Sequence, residues 1–542
     1  MKIMAEATPP AAKPETPVIT TLPAAGDEYC SDLSTGFALE PLPLSALPVA
    51  EIRRAQQAWA SLPVRRRLAT LRKLRGRIAA GAQALAATVP LEAAGSLHRT
   101  LADTLAAEVL PLIESCRFLE REARSILGAR YAGEGSRPFW LRGVSLKVER
   151  EPLGTVLIVA PANYPLFLPG AQALQALAAG NAVLWKPAPG GSAAAARALS
   201  DLLNASGLDP LLLRVLDDSP GAATAAIRSG VDKVILTGSA ATGRAVLHEL
   251  ADTLTPSVME LSGCDAVFVL DSADLTRTAA AIAFGLRLNG SATCMAPRRL
   301  FASRKTAQRL QLKLLPLLAA IAPVPLPAST AQSLRNLLVK AQQAGATLLC
   351  GAVDGDAVRP ILIAGAKPGM AVAQTDIAAP VLSIIEAAGQ QASLDAYSAC
   401  PYALTAAIFG EEQDAIRLAS RIRAGVVLVN DIIVSTADPR APFGGRGASG
   451  FGVTRGREGL LEMTAPKTVL IQRSRDLTPY LPTGPAHAEL FSAYIQAVHS
   501  RGLPARFSGA LRLAKAVTTF QRNSSGAAGL PAKPQHPERK QH

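Results

Sequence analysis

Apolar positions along this chain change their spacing in distinct stretches. From Leu47 to about Leu127 they recur every three or four residues, as in "LHRTLADTLAAEVLPLIESCRFLEREARSIL", which predicts a layer of amphipathic helices. From "VSLKVEREPLGTVLIVAP" the pattern becomes a short alternating segment, the β-branched run Val156 to Val159, an Ala-rich helix, "NAVLWKP" and another helix. "LRVLDD" and "VDKVILTGS" follow, each with helical spacing beyond it. A second series contains "DAVFVL" (Asp265 to Leu270), "LTAAIF" (Leu404 to Phe409) and "GVVLVND" (Gly425 to Asp431). Strands alternating with helices predict parallel βαβ units, hence an α/β chain with a doubly wound domain followed by a second α/β domain. Such sheets bind ligands beyond the carboxyl ends of their strands. After Arg473 a Pro-containing linker leads to an amphipathic helix around Ala488 to Val498. The Pro/Ala/Thr-rich start and the final "RNSSGAAGLPAKPQHPERKQH" predict disorder.

Composition narrows the class. At 542 residues and 56.3 kDa the chain exceeds what one core organises. Hydrophobic residues make up 49% but aromatics only 4%, so the cores are aliphatic. The six cysteines are scattered without a CxxC pair, which argues against a disulfide framework and zinc and fits a reducing cytosol. His487, His499, His536 and His542 lack metal-ligand spacing, so no metal is expected. "MKIMAEATPPAAKPETP" has no apolar core and is not a secretory signal. The apolar stretches Leu153 to Trp185 and Leu312 to Pro327 are interrupted by prolines, the first also by Gly180 and Asn181, and are not membrane spans. A net charge of +14 invites nucleic acid, yet half the excess lies in residues 473–542. The arginines between Arg53 and Arg77 alternate with Trp59, Leu62, Leu68, Leu71, Leu74 and Ile78 near helical spacing and read as a solvated face. Neither nucleic acid nor membrane is an expected partner.

Candidate chemistry begins at "FGLRLNGSATCMAPRR", where Cys294 sits among small residues after an Asn-Gly turn, a setting that presents a thiol rather than packing it. Gly445, Gly447 and Gly450 match GxGxxG but follow "PRAPFG" rather than a strand, so they read as a flexible glycine loop and not a dinucleotide fingerprint. In "VILTGSAATGRAV" a strand runs into Gly238, Ser239 and Gly243 with a helix beyond, which suits a pyrophosphate, although an ordinary βα turn fits the same pattern. Lys186 ends "NAVLWK" on the same sheet edge, either as a ribose or phosphate ligand or as a solvated strand-end lysine. Glu260 in "SVMELSG" has a semi-buried setting that raises a carboxyl pKa toward use as a base. Asn163 in "PANYP" is an oxyanion donor candidate. Nucleophile, base, oxyanion donor and dinucleotide turn are the set that thiolate-based carbonyl chemistry needs.

Six segments, in order "PANYPLFLPGAQALQALAAGNAVLWKPA", "LTGSAATGRAV", "MELSG", "NGSATCMAPRR", "PYALTAAIFG" and "APFGGRGASGFG", resemble the aldehyde dehydrogenase superfamily over about residues 45 to 473. The resemblance implies Cys294 as nucleophile, Glu260 as general base and Asn163 as oxyanion residue. It implies Lys186 at the adenosine ribose and Gly238, Ser239 and Gly243 at the pyrophosphate turn. Ala160 and Pro161 are further implied cofactor contacts, and Asp376 is placed at the nicotinamide ribose. Cys264 is expected to be structural. The implied reaction takes a small-molecule aldehyde to a carboxylic acid with NAD or NADP through a thiohemiacetal and a thioester.

Four positions depart from the family pattern. Pro189 replaces the Glu that favours NAD, leaving cofactor preference open; "DIAAP" supplies Asp376 and Ala378 where the family has Glu and Phe; Ala162 replaces a Trp and widens the tunnel. The implied organisation is a leader over 1–45, an NAD(P)-binding domain over 46–261 with a bridging hairpin at about 139–151, and a catalytic domain over 262–465. An oligomerisation strand at 466–473 and a basic, partly disordered extension over 474–542 complete it, and the hairpin implies a homodimer or homotetramer. Two other readings stay open. An acylating relative would hand the thioester to coenzyme A, against which Glu260 stands. A binding or scaffold homologue is supported by Pro189, Asp376 and Ala378 and opposed by the joint presence of Cys294, Glu260 and Asn163.

Overall fold

A computed structural model describes residues 47–90, 99–133, 135, 137–141, 143–474, 480 and 482–525. The expected leader at 1–45, the low-complexity end beyond residue 525, and Cys30 lie outside the described residues. The chain divides into two compact units, one holding residues up to Tyr131 and Lys147–Val469, the other Ala132–Leu146 and the chain from Leu470.

In the first unit a six-stranded sheet is built from β1 (Thr155–Val159), β2 (Ala182–Lys186), β3 (Leu213–Val215), β4 (Lys233–Gly238) and β5 (Ser257–Leu261). Their order is β3-β2-β1-β4-β5, all parallel, and a short antiparallel strand from the glycine loop extends it beyond β5. Every residue of β1 and β2 is buried, as expected of aliphatic strands covered on both faces. The strand order reverses between β1 and β4, so their carboxyl ends flank a crevice of the kind that holds ligands.

Helices α1 (Val49–Ser61), α2 (Val64–Ala80) and α3 (Leu110–Ile126) form the layer that the spacing predicts. Beneath them α4 (Phe167–Ala179) is buried at nearly every position, which its small Ala and Gly residues permit. One correction concerns the arginine run. Arg67 is not on a solvated face: it is buried and donates from Nε to the Ala178 carbonyl (3.1 Å) and from Nη1 to those of Ala60 (3.0 Å) and Leu62 (3.2 Å). It thereby satisfies carbonyls at the C-terminal ends of α1 and α4.

A seven-stranded sheet follows, made of β6 (Asp265–Val269), β7 (Pro297–Ala302), β8 (Thr347–Cys350), β9 (Ile361–Ala364), β10 (Val381–Glu386), β11 (Thr405–Phe409) and β12 (Val426–Val429). Its order is β8-β9-β10-β7-β6-β11-β12, parallel except for the edge strand β8. Alternate residues feed opposite faces: Phe268 and Phe301 stack at 5.1 Å on one, while Val267 and Leu300 enter the core on the other.

The glycine loop is not flexible. Its strand β13 (Gly450–Phe451) pairs antiparallel with β5, placing Gly450 opposite Glu260. A Cβ on Gly450, whose φ is +96°, would lie 1.9 Å from the Met259 carbonyl oxygen, and one on Gly445 2.0 Å from that of Ser449. These glycines exist for close backbone approach.

The expected hairpin at 139–151 also changes. Phe139–Leu141 is a 3-10 turn, and the strand Val144–Pro152 pairs with Arg130–Tyr131, in a sheet that Thr464–Gln472 completes. In the second unit, α7 (Pro485–His499) and α8 (Leu503–Ser525) pack on each other, tied by Arg512 to Glu489 at 2.9 Å. Gly509 permits their approach, since a Cβ there would meet Ala497 N at 2.4 Å. The sequence pattern predicts only the first of these helices. Among the described residues no helix is long and apolar enough to cross a membrane.

Candidate active site

The nucleophile candidate sits on a loop wound by three successive left-handed residues. After α6 (Leu275–Arg287), Asn289, Gly290 and Ser291 have φ of 55°, 58° and 65°. Non-glycine residues hold such angles only when their surroundings over-determine them. Arg298 does so for Ser291, donating from Nη1 to its Oγ (2.8 Å) and from Nη2 to its carbonyl (2.6 Å). The loop leaves Cys294 half-buried on a cavity wall. Burial first, and then the carboxylates of Asp265, Glu260 and Asp376, push its thiol well above the ordinary range, while Arg455 opposes them. At neutral pH the resting group is a thiol.

Asn163 faces this loop. Its Nδ2 donates to the Ala292 carbonyl at 2.7 Å, leaving the second amide N–H available, and its Oδ1 is buried without a partner. The Asn163 carbonyl accepts from Asn289 Nδ2 (3.0 Å) and from Arg99. Arg99 in turn donates to Asn289 Oδ1 (2.8 Å) and pairs with Glu108 at 2.5 Å, both side chains being fully buried. Glu108 lies in a π-helical turn, Leu105–Val109, and accepts the N–H groups of Leu166 and Phe167 at 2.8 Å each. Tyr164 completes the link, its hydroxyl 2.8 Å from Thr293 Oγ1. Neither Arg99, Glu108 nor Tyr164 is singled out by the sequence, where the first two are only members of a helical stretch.

Glu260, on β5, is buried rather than semi-buried. One carboxylate oxygen accepts from Thr237 Oγ1 (3.0 Å) and Gln172 Nε2 (3.4 Å), the other from Thr454 Oγ1. Burial nevertheless raises its pKa above the ordinary carboxyl value, against the pull of those hydroxyls and Arg455.

At the crevice between β1 and β4, α5 (Ala240–Ala251) starts on Ser239, whose Oγ accepts the Thr242 N–H at 3.1 Å. Lys186 at the end of β2 is buried, so the solvated strand-end alternative does not hold. Lys186, Gly238, Ser239, Ala160, Pro161 and Asp376 line one cavity of about 510 Å³ together with Asn163, Glu260 and Cys294. Pro189, Ala162 and Ala378 line it too. Gly243 does not: it faces Leu261, whose side chain a Cβ would meet at 2.7 Å, and serves close packing of helix on strand. Cys264 is buried outside the lining, its thiol 3.6 Å from the Ala373 carbonyl. A helix N-terminus beside a buried ammonium is a donor set that fits pyrophosphate and ribose oxygens. A thiol, a carboxyl base and an amide donor thus share a chamber with an anion-binding helix end.

The aldehyde dehydrogenase family model matches residues 46–469. A succinate-semialdehyde dehydrogenase (NADP(+)) of Deinococcus radiodurans is 30% identical over 495 residues, covering 85% of this chain and 97% of the relative. A 4,4'-diapolycopene aldehyde oxidase of a Methylomonas species is 29% identical over 442 residues, covering 78% and 81%. Among solved structures, the NADP-dependent glyceraldehyde-3-phosphate dehydrogenase of Bacillus halodurans complexed with NADP superposes with a TM-score of 0.72 at 25% identity, covering 79% of this chain and 90% of that one.

Proposed function

The chain belongs to the aldehyde dehydrogenase family, and from that premise we propose how its own residues divide the reaction. It is an NAD(P)-dependent enzyme that oxidises aldehydes to carboxylic acids. Lys186 and the N–H groups at Gly238 and Ser239 would hold the ribose and pyrophosphate of the cofactor, and Ala160, Pro161 and Asp376, which line the same cavity, would complete its site. Cys294 Sγ, its proton released to solvent water, attacks the aldehyde carbon and forms a C–S bond. The displaced electron pair settles on the former carbonyl oxygen, which the free Asn163 amide N–H and the Cys294 backbone N–H stabilise. When bound, the nicotinamide supplies the hydride acceptor that makes oxidation to the thioester possible. Glu260 then takes a proton from water, the oxygen adds to the thioester carbon, and the C–S bond breaks to return the Cys294 thiolate and release the acid.

Burial of Glu260 in the same chamber as Cys294 is the observation that carries this reading over transfer to coenzyme A, because a water-activating base there hydrolyses the thioester. Turnover with and without coenzyme A tests it: carboxylic acid formed equally in both supports hydrolysis, and dependence on coenzyme A overturns it. We further propose that the six-stranded sheet is the cofactor domain and the seven-stranded sheet the catalytic domain. The exposed strand Thr464–Gln472 offers an edge for a homodimer or homotetramer, and the cytosol is the compartment that keeps the thiol reduced. Light scattering on the purified chain reads the oligomer directly.

A further inference from the structure

Arg455 stands at the centre of the site without a part in the reaction as described. It is 5% exposed and has φ of +59°, an angle that a residue with a side chain rarely adopts. Its backbone N–H donates to Gln175 Oε1 (3.1 Å), its Nη1 donates to the Thr436 carbonyl (2.5 Å), and its guanidinium lies over the Phe443 ring at 4.5 Å and the Phe167 ring at 5.7 Å. Its Nε is buried with no partner, and among the described residues no carboxylate forms an ion pair with it. Guanidinium stays charged even when buried, and a buried cation without a counter-ion is costly. Something in the working enzyme offsets that cost.

Arg455 shares the cavity wall with Cys294 and Glu260 and interacts electrostatically with both. Cys294 also feels the carboxylates of Glu260, Asp265 and Asp376, all unfavourable to a thiolate, and the Arg298 guanidinium, which favours it. Arg298 has its Nη1 and Nη2 committed to Ser291 and the Ala379 carbonyl. The adjoining Thr454 already holds Glu260 by its hydroxyl, so one short segment addresses base and nucleophile together.

We propose that Arg455 is a positioning residue of this reaction, a fixed buried cation that favours the Cys294 thiolate and the Glu260 carboxylate. Each anion, as it forms, supplies the partner that the resting guanidinium lacks. The proposal rests on the assignment of Cys294 and Glu260 above.

The test is the pH dependence of iodoacetamide alkylation of the full chain, read by mass on the Cys294 peptide, in wild type, Arg455→Gln and Arg455→Gly. Glycine accepts the positive φ without strain, so the second variant guards against loss of fold in the first. Both variants are expected to raise the alkylation midpoint by about one pH unit, roughly a tenfold slower reaction at neutral pH. Millimolar guanidinium is expected to restore the rate in Arg455→Gly and leave wild type unchanged. An unshifted midpoint in both variants, or no rescue of the glycine variant, overturns the proposal. Turnover by Cys294→Ala would instead remove the nucleophile assignment; an unshifted midpoint with Cys294 still essential removes only the role of Arg455.

Discussion

Asn163 and Cys294 are held in register through the loop that carries the thiol: Asn163 Nδ2 donates to the Ala292 carbonyl, two residues before Cys294, at 2.7 Å. One amide N–H is used to fix the geometry and the other is free for the oxyanion. Asn163→Ala should therefore lower kcat by about 100- to 1000-fold, the usual loss for one oxyanion donor, with a small change in cofactor binding. Steady-state kinetics with a cofactor titration checks both halves.

The Arg99 and Glu108 pair reaches the same loop from behind. Removing one partner of a fully buried pair typically costs about 3–5 kcal/mol, and Glu108→Ala also strips the acceptor from the Leu166 and Phe167 N–H groups. Urea unfolding should show a loss of that order. Arg99→Ala should lower kcat beyond what its stability loss at assay temperature explains, because the Asn163 carbonyl loses one of its two donors.

Glu260, as the proposed base, should carry the acid limb of the pH profile. Burial raises its pKa, and the base works only when ionised, so activity should fall as pH drops through a value above the ordinary carboxyl range. A limb at the ordinary carboxyl pKa would contradict this.

Asp265 makes a pH prediction for stability. Burial pushes its carboxyl up to about 7, although Thr405 donates to it from both its N–H (3.0 Å) and its hydroxyl (2.9 Å). Between about pH 4 and 7 the folded chain keeps a proton that the unfolded chain has released, so this group's contribution to stability falls as pH rises through that window. Asp265→Asn should flatten that part of the stability curve, as measured by urea midpoints across it.

The glycine loop yields a paired comparison. Gly450→Ala drives a methyl into the Met259 carbonyl at a positive φ and should cost about 2–5 kcal/mol, whereas Gly355→Ala, at φ of +57° with open space around it, should cost about 1–2. Thermal melts of the two variants separate crowding from backbone strain.

What the sequence made legible follows periodicity and motif. The β-branched run at Val156 to Val159 and the aliphatic "VILTG" read correctly as parallel strands because burial on both faces demands such residues. Cys294, Glu260, Asn163 and Lys186 were visible through their unusual neighbours, and all line one cavity. Arg99, Glu108 and Arg455 were not, since what distinguishes a buried arginine from a surface one is its tertiary partner, far away in sequence. The glycine loop misled for the same reason: its density of glycine reads as freedom, while the fold uses it to seat backbone against β5. Helix α8 was missed because its apolar positions do not mark the packed face: Leu503, Phe507 and Leu511 stay exposed, and packing against α7 defines the helix.

The proposed catalysis is covalent at Cys294, with hydrolysis by Glu260. It is tested most directly by mixing Glu260→Gln with NAD or NADP and a panel of aliphatic, aromatic and carboxylate-bearing aldehydes, then weighing the Cys294 peptide. A single burst of reduced cofactor and an acyl adduct on Cys294 are expected, both absent when Cys294→Ala is added. Sustained turnover by Glu260→Gln, or an acyl group on any other residue, would contradict it.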